Sequence, residues 1–499
     1  MRKILLGTTA VVGAALLAPG MAAAQEAPTV RIGGYFRAYY GYTQQTSPHV
    51  TGNVGGTITG TGANTTINGG TNVFQGAQIG DTGIAGTSIA TTAGTPTASG
   101  LQPGFPNNGT SASQALSART GKHDFSTDAE IHVFVNGKTA NGLTYGAVVE
   151  MEFDSNEGTY RAARRSYSSK TAATIDEMYA FIASPTLGQV RFGDEDGPFG
   201  GLMNAGFVTN FGSGGVYGDW QDFVIRPNRT TTSPGDMGDN SKIIYLSPQF
   251  FGFDFGASWA FNEGTGGDTG CTSSLAGPYC DRSYASQGVT SYGRATTDIP
   301  GRRNEIQAMA RWRGNIGPVG IAVSAGTMQA QAVRDITAQG TQVRTLKDPQ
   351  VYQAGIQATA YGFTVGGTYM WGNTNFFYIP NVRGDKNMEQ YFVGASYTAG
   401  PFTIGANAFW GSYAGTAGFT FNTVSGAYTR NTNGTTQQQK RNAWSVGANY
   451  RLAPGLDLLA EWVRHSIHER GVDLDLQSNN GINDKLRANV FIVGTRLAF

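Results

Sequence analysis

Sixteen short segments in which apolar side chains recur at every second position constrain this chain more than any other feature. Such alternation is typical of a β-strand whose two faces meet different surroundings. Within residues 305–313, Ile306 and Trp312 lie on one face, and Glu305 and Arg311 lie on the other. A dry core does not accept unpaired charges, whereas a water-filled interior accepts them at little cost. The pattern therefore predicts strands with one apolar and one wet face.

The connections between these segments alternate between short and long along the whole chain. The short ones are turns such as residues 361–362 and 399–400, and the long ones extend up to residues 44–124. Outer-membrane barrels have tight periplasmic turns, long external loops and an even number of strands. We therefore predict an all-β fold, a transmembrane antiparallel β-barrel of 16 strands. The segments lie near residues 30–43, 125–138, 142–154, 174–184, 188–194, 241–248, 252–262, 303–314, 318–331, 350–361, 363–373, 388–398, 401–411, 442–452, 455–466 and 486–499.

Composition supports the barrel and excludes other classes of protein. The 499 residues include 72 glycines, and only 14% are charged, which is far from the composition of a helical bundle or coiled coil. Lys+Arg is 35 and Asp+Glu is 34, so no charge excess indicates a nucleic-acid partner. No run approaches 18 consecutive apolar residues, so membrane crossing by a helix is not predicted.

The N-terminus has the pattern of a cleavable secretory signal. Arg2 and Lys3 precede an apolar run over residues 4–17, and three alanines at 22–24 provide a cleavage site. We expect residues 1–24 to be the signal peptide and residues 25–499 to form a single barrel. The protein is therefore predicted to be exported.

Three segments resemble a known family: residues 30–36 (VRIGGYF), residues 188–193 (GQVRFG) and the C-terminal residues 494–499 (GTRLAF). With the pattern of connections, they are similar to those of general Gram-negative bacterial porins of the alphaproteobacterial type. The resemblance implies a channel in the cell outer membrane, usually a homotrimer, with the third external loop folded into the lumen as a constriction. The terminal Phe499 is similar to the signal that the barrel-assembly machinery reads.

Two long loops differ in composition, and we expect them to have different roles. The first, residues 44–124, is rich in Gly, Thr and Asn and is far longer than such porins normally carry. It is either a flexible surface loop or a plug or adhesive segment. The other, residues 195–240, carries large apolar groups such as Phe199, Phe211 and Trp220. On a cell surface these would form a sticky patch, so we expect this loop to fold inward as the constriction.

We predict that the charged face of each strand lines the pore. The basic set is Arg31, Arg37, Arg191, Arg311, Arg313, Arg451 and Arg496. The acidic set on the wall or in the constriction is Glu150, Glu152, Asp194, Glu195, Asp196, Asp219, Asp222, Glu305 and Glu461. Opposed basic and acidic walls would place a transverse field across the water column. Alternatively, individual arginines pair with neighbouring acids and stiffen the wall.

None of the remaining candidate residues is predicted to catalyse a reaction. Cys271 and Cys280 lie in one external loop, where a disulfide is expected, with a metal site as the alternative. His465 and His468 match no zinc motif and are expected to be exposed at the rim. The chain has no G-x-S-x-G or P-loop motif, so we predict no catalytic residue, cofactor or metal, and no enzyme activity.

The leading functional hypothesis is passive diffusion of ions and small hydrophilic solutes through a water-filled channel. A substrate-selective porin is one alternative. A barrel adhesin, surface protein or enzyme that uses the long first loop is the other. The expected partners are outer-membrane lipid and lipopolysaccharide, the barrel-assembly machinery during biogenesis, and two further copies of the chain.

Overall fold

The computed structural model describes most of the barrel and part of its loops. The described residues are 27–46, 49–53, 57–59, 64–68, 88–92, 95–97, 115–119, 121–153, 173–224, 238–262, 302–332, 335–336, 342–343, 346–375, 378–415, 419–422, 427–430, 438–470 and 484–499. The predicted signal peptide, residues 1–24, lies outside them, as do both cysteines.

Sixteen strands form the barrel, and each coincides with a predicted segment to within a few residues. They are β1 (Thr29–Gln45), β2 (His123–Lys138), β3 (Thr144–Glu152), β4 (Thr174–Ser184), β5 (Gly188–Asp194), β6 (Ser241–Leu246), β7 (Phe253–Asn262), β8 (Arg302–Ile316), β9 (Val319–Ala332), β10 (Gln350–Ala360), β11 (Phe363–Gly372), β12 (Met388–Ala399), β13 (Phe402–Tyr413), β14 (Gln439–Ala453), β15 (Leu456–His468) and β16 (Lys485–Ala498). The prediction of a 16-stranded antiparallel β-barrel is confirmed.

The barrel closes because β1 pairs on both of its edges, with β2 on one side and β16 on the other. All neighbouring strands are antiparallel, and apart from the closing pair β1–β16 they follow one another in sequence. The C-terminal Phe499 takes part in the closure, since its backbone N–H donates to the Gly34 carbonyl and its carbonyl accepts from the Gly34 N–H, both at 3.0 Å. Closure removes the free strand edges that would otherwise need partners in the membrane.

The outer face of the barrel is apolar, as the alternation predicts. Ile32, Ile306 and Trp444 are exposed on it, whereas Arg37 and Arg311 occupy the inward rows of their strands. Aromatic side chains form two outward bands, one near each end of the strands, which is typical of the two interfaces of an outer-membrane barrel. The external band includes Trp259, Trp371, Tyr391, Trp410 and Trp444, and the periplasmic band includes Phe253, Phe363, Tyr397, Phe402 and Tyr450.

Regular structure outside the barrel is short. Three brief helical turns, Pro198–Leu202, Gly215–Tyr217 and Asp219–Phe223, lie in the loop that follows β5. The first external loop contains a four-stranded sheet of segments three to five residues long. Among the described residues, no helix has both the length and the apolar character needed to cross a bilayer.

Candidate functional site

The loop after β5 folds into the barrel and follows its inner wall; we call residues 195–224 the inner loop. At residues 199 and 200 it contacts β8, where the Gln307 side-chain oxygen accepts hydrogen bonds from the Phe199 and Gly200 N–H groups at 3.1 and 3.0 Å. On β9 the Ser324 hydroxyl accepts from the Ala205 N–H at 2.9 Å. These inward side chains satisfy loop backbone groups that would otherwise be buried without partners.

The inner loop continues around the wall to β13, β14 and β15. Asn407 on β13 accepts from the Val216 N–H and donates to the Val208 carbonyl, both at 3.0 Å. Asn449 on β14 and Glu461 on β15 accept hydrogen bonds from the backbone of Gly212 and Ser213. Polar side chains on five strands therefore hold one loop against the wall over most of the barrel circumference.

Inward-facing glycines provide the space in which the inner loop lies. A Cβ atom added at any of seven glycines on seven different strands would come within 3.1 Å of an atom of this loop. We call these residues the inner glycine track: Gly41, Gly256, Gly355, Gly366, Gly394, Gly405 and Gly447. Any larger side chain at these positions would push the loop away from the wall.

Apolar side chains of the inner loop are buried against the wall, which agrees with the expectation that they avoid the cell surface. Phe199, Met203, Val216 and Tyr217 belong to one buried cluster with inward side chains of β8 to β14. The wall members include Met309, Met328, Val351, Met370, Met388, Phe392, Phe409 and Tyr413. Burying each large side chain contributes about 1.5–3 kcal/mol, so this cluster is a strong anchor.

The end of the inner loop packs across the strands where the barrel closes. Trp220 and Phe223 are buried with Tyr39 of β1, Val463 of β15 and Ile492 of β16. We call this group the seam cluster because β1 and β16 are the first and last strands of the closed sheet. The Trp220 ring lies 5.2 Å from the His465 ring, measured between centroids.

Arg37 and two loop acids connect the inner loop to β1 and β2. Arg37 is 6% exposed and forms ion pairs with Asp128 of β2 and, at 3.1 Å, with Asp219 of the loop. Asp222 accepts a hydrogen bond from the Ser126 hydroxyl at 3.0 Å. Two of the predicted constriction acids, Asp219 and Asp222, therefore lie at the wall, and one of them contacts a predicted luminal arginine.

The other predicted basic residues are placed as follows. Arg191 pairs with Glu195 at 2.7 Å, and the Arg31 guanidinium lies 4.8 Å from the centre of the Phe134 ring. Arg311 and Arg313 share one carboxylate, that of Asp254, with N–O distances of 2.6 and 2.9 Å. Arg451 and Arg496 share Asp457, at 3.6 and 2.8 Å. Each of these two shared groups carries one excess positive charge at the wall.

The predicted acidic residues divide into three groups. Glu305 and Glu461 are only 2% and 1% exposed; Glu461 binds the inner loop directly, and Glu305 accepts a hydrogen bond from Gln307. Asp194, Glu195 and Asp196 are buried where the loop leaves β5, and Asp194 accepts a hydrogen bond from the Ser241 hydroxyl. Glu150 and Glu152 lie on the lumen face of β3, opposite His132 and Glu130 of β2.

Several side chains that organise the site were not in the predicted sets. Asp128, Asp254 and Asp457 are the carboxylates that the luminal arginines contact, and Asn407 holds two points of the inner loop. All of them lie at inward positions of predicted strands, so strand parity was the signal available for finding them. Strand parity does not reveal the height of a residue along the barrel axis. This height determines which inward side chains are in contact.

The expectation of two exposed rim histidines is wrong for His465. Its side chain points inward on β15 and is 1% exposed, because Trp220 of the inner loop covers it. His468 agrees with the expectation, with a side chain that is 48% exposed. Cys271 and Cys280 lie outside the described residues, so their pairing stays a prediction.

Comparison with known proteins gives one match to a family. A family model described as Gram-negative porin matches residues 7–466. No curated protein matches. Among solved structures, the chain is similar to in-vitro folded OmpT of Vibrio cholerae in its trimer form, with 11% identity, a TM-score of 0.44, and 95% of this chain and 100% of that one covered. It is also similar to a mutant of Rh. blastica porin, with 12% identity, a TM-score of 0.44, and coverage of 94% and 100%.

Proposed function

The chain belongs to the Gram-negative porin family, and from this premise we propose that its barrel acts, without catalysis, as a water-filled outer-membrane channel for passive diffusion of ions and small hydrophilic solutes. The observation that carries the proposal is the opposition of the two barrel faces. Outward rows are apolar and end in aromatic bands, whereas inward rows carry charged groups such as Arg311, Arg313 and Asp254. Charges on the inner face require water, and lipid-facing apolar rows require a membrane.

We propose that the inner loop is the constriction of this channel. Support comes from its path, since it occupies the inner wall from β8 through β15 to β1 and β2 and therefore takes up part of the lumen cross-section. Deleting residues 199–217 should raise the single-channel conductance in planar bilayers. A deletion variant that assembles as a folded barrel but conducts like the parent would contradict this role.

We further propose that the luminal charges set the ion preference. Arg311, Arg313 and their shared Asp254 lie on β7 and β8, whereas Glu150, Glu152 and Glu130 lie on β2 and β3. Net positive and net negative groups thus occupy different sectors of the wall, which favours a transverse field. A bilayer experiment with a salt gradient measures the reversal potential and tests channel activity and ion preference together. An absence of conductance from the folded protein would refute the channel.

Biogenesis and assembly follow from family membership as further proposals. We infer export by a cleaved signal at residues 1–24, recognition of the C-terminal strand ending at Phe499 by the barrel-assembly machinery, and a homotrimer. Mass measurement of the detergent-solubilised protein by light scattering tests the trimer. A monomer under conditions in which the channel remains active would contradict it.

Lipopolysaccharide is the proposed lipid partner, and basic side chains on the external part of the outer face support it. Lys440, His468 and Lys485 form one row across β14, β15 and β16, and Arg464 and Arg487 flank it. All five are exposed, directly beyond the pair formed by Trp444 and Trp462 of the aromatic band. The one acid in contact there is Asp484, 3.7 Å from His468, among the described residues. Phosphate groups of the outer leaflet would lie at this height.

Binding of phosphorylated and dephosphorylated lipid A tests this partner. The double variant Lys485→Gln/Arg487→Gln should weaken binding of phosphorylated lipid A, while Lys138→Gln at the periplasmic end should not. Equal binding of both lipid forms by the parent would contradict a role for the phosphates. Inorganic phosphate at matched concentration serves as the arm that separates a headgroup from the free anion.

A further inference from the structure

Four side chains with metal-ligand chemistry form a compact block on the lumen face of β2 and β3. Glu130 and His132 are two residues apart on β2, and Glu150 and Glu152 are two residues apart on β3. A spacing of two places both members of each pair on the same face of their strand. The register then sets Glu130 opposite Glu152, and His132 opposite Glu150.

Three of these groups already converge on a small volume. His132 Nε2 lies 3.0 Å from an oxygen of Glu130, and His132 Nδ1 lies 3.6 Å from an oxygen of Glu150. One ligand atom from each of the three residues lies within 4.8 Å of the others. The His132 Nε2 atom is itself buried, so it lies among these groups and not in the open lumen. Both ring nitrogens of His132 therefore lie close to carboxylates.

The charge of the block favours a cation. Like charges directly opposite each other on neighbouring strands are destabilising, and Glu130 faces Glu152 across the ladder. The adjacent arginines are engaged by other acids: Arg37 by Asp128 and Asp219, and Arg191 by Glu195. A divalent cation bound between Glu130 and Glu150 offsets the repulsion among these carboxylates.

We propose that Glu130, His132 and Glu150 form a binding site for a divalent transition-metal ion of the zinc class, and Glu152, paired with Glu130 across the ladder, adds negative charge on the same face. The imidazole favours such an ion over Ca²⁺ or Mg²⁺, which prefer all-oxygen sites. The His132 side chain is 21% exposed, which gives an ion access from the lumen water. This inference rests on the proposed channel, because an ion bound there neutralises part of the acidic sector.

Direct binding of Zn²⁺ to the folded protein in detergent tests the site without any need for conductance. After treatment with a chelator, equilibrium dialysis of the parent should show saturable Zn²⁺ binding. His132→Asn should weaken it at least tenfold, and Glu150→Gln tests the site through a different ligand. The matched controls are His123→Asn and His468→Asn, whose side chains lie outside the block. Heat-modifiable migration in gels verifies that each variant is a folded barrel.

The results of these experiments distinguish failure of the proposed metal site from failure of the proposed channel. If the parent binds no Zn²⁺, if His132→Asn binds it as the parent does, or if Ca²⁺ competes equally, the proposed site is wrong. In bilayers with a salt gradient, Zn²⁺ should shift the reversal potential of the parent toward anion preference and leave that of His132→Asn unchanged. A protein that binds Zn²⁺ but conducts no ions would refute the channel and retain the site, whereas conductance without Zn²⁺ binding would do the reverse.

Discussion

Enlarging one residue of the inner glycine track should narrow the channel by moving the inner loop. Gly366 on β11 has ordinary strand geometry, so a side chain there strains only its surroundings. A Cβ at this position would lie 2.7 Å from the Gly206 carbonyl oxygen, whereas ordinary contacts begin near 3.4 Å. The obstacle is backbone, which cannot rotate away as a side chain does. The loop must therefore retreat by about 0.7 Å for alanine, the difference between those two distances.

A valine at the same position demands more, because its methyl carbons extend about 1.5 Å beyond Cβ. We expect a retreat of about 2 Å for Gly366→Val, and the wall behind the loop leaves only the direction toward the pore axis. Overpacking of this kind costs about 1–3 kcal/mol if the loop stays in place. Single-channel conductance should therefore fall in the order parent, Gly366→Ala, Gly366→Val.

The matched control for these variants is Gly320→Val. Gly320 also faces the lumen on β9, but the closest atoms to its added Cβ are a side-chain oxygen of Asn315 at 3.3 Å and the Thr359 carbonyl oxygen at 3.7 Å, and neither belongs to the inner loop. Its conductance should match the parent. If folded Gly366→Val conducts like Gly320→Val and the parent, the inner loop is not confined by the wall at this point, and the reasoning from the glycine track fails.

Three further predictions concern the loop and its surroundings. Replacing Asp219 and Asp222 by Asn should shift the reversal potential in a salt gradient toward anion preference, since it removes two negative charges of the inner loop, one of which pairs with Arg37; an unchanged potential would mean that these acids do not face the ion path. Trp220→Ala should cost about 3–5 kcal/mol of packing in the seam cluster and increase proteolysis of the inner loop in the folded barrel; parental resistance to protease would count against that anchor. Cys271 and Cys280 should be oxidised to each other, so mass spectrometry after alkylation without reduction should detect no labelled thiol, and labelling of both would refute the disulfide.

The strands were predictable from the sequence because lipid and water impose opposite demands on successive residues. The polarity of Ile306 and Arg311 is enough to place the first on the lipid face and the second on the lumen face, without knowledge of distant contacts. The inward fold of the loop was also predictable, since Phe199 and Trp220 have no stable place on a cell surface. Its route along the wall was not, because local sequence does not specify which inward glycines lie at the same height.

The pairing of charges needed the three-dimensional register. Arg311 and Asp254 meet because β7 and β8 place them opposite each other, although a long external connection separates the two strands in sequence. His465 was mistaken for a rim residue because its covering partner, Trp220, is distant in the chain. Both the ion pair and the burial of His465 depend on long-range packing, which alternation within one strand does not encode.

The seam cluster couples the folding of the inner loop to the completion of the barrel. Trp220 and Phe223 pack on Tyr39, Val463 and Ile492, which come together only when the last strand has joined the first. The C-terminal part of the loop therefore has no complete docking surface in a partly assembled sheet. Once docked, it bridges β15, β16 and β1 from the inside and opposes their separation. Protection of this segment from proteolysis should therefore appear only once the barrel has closed during assembly.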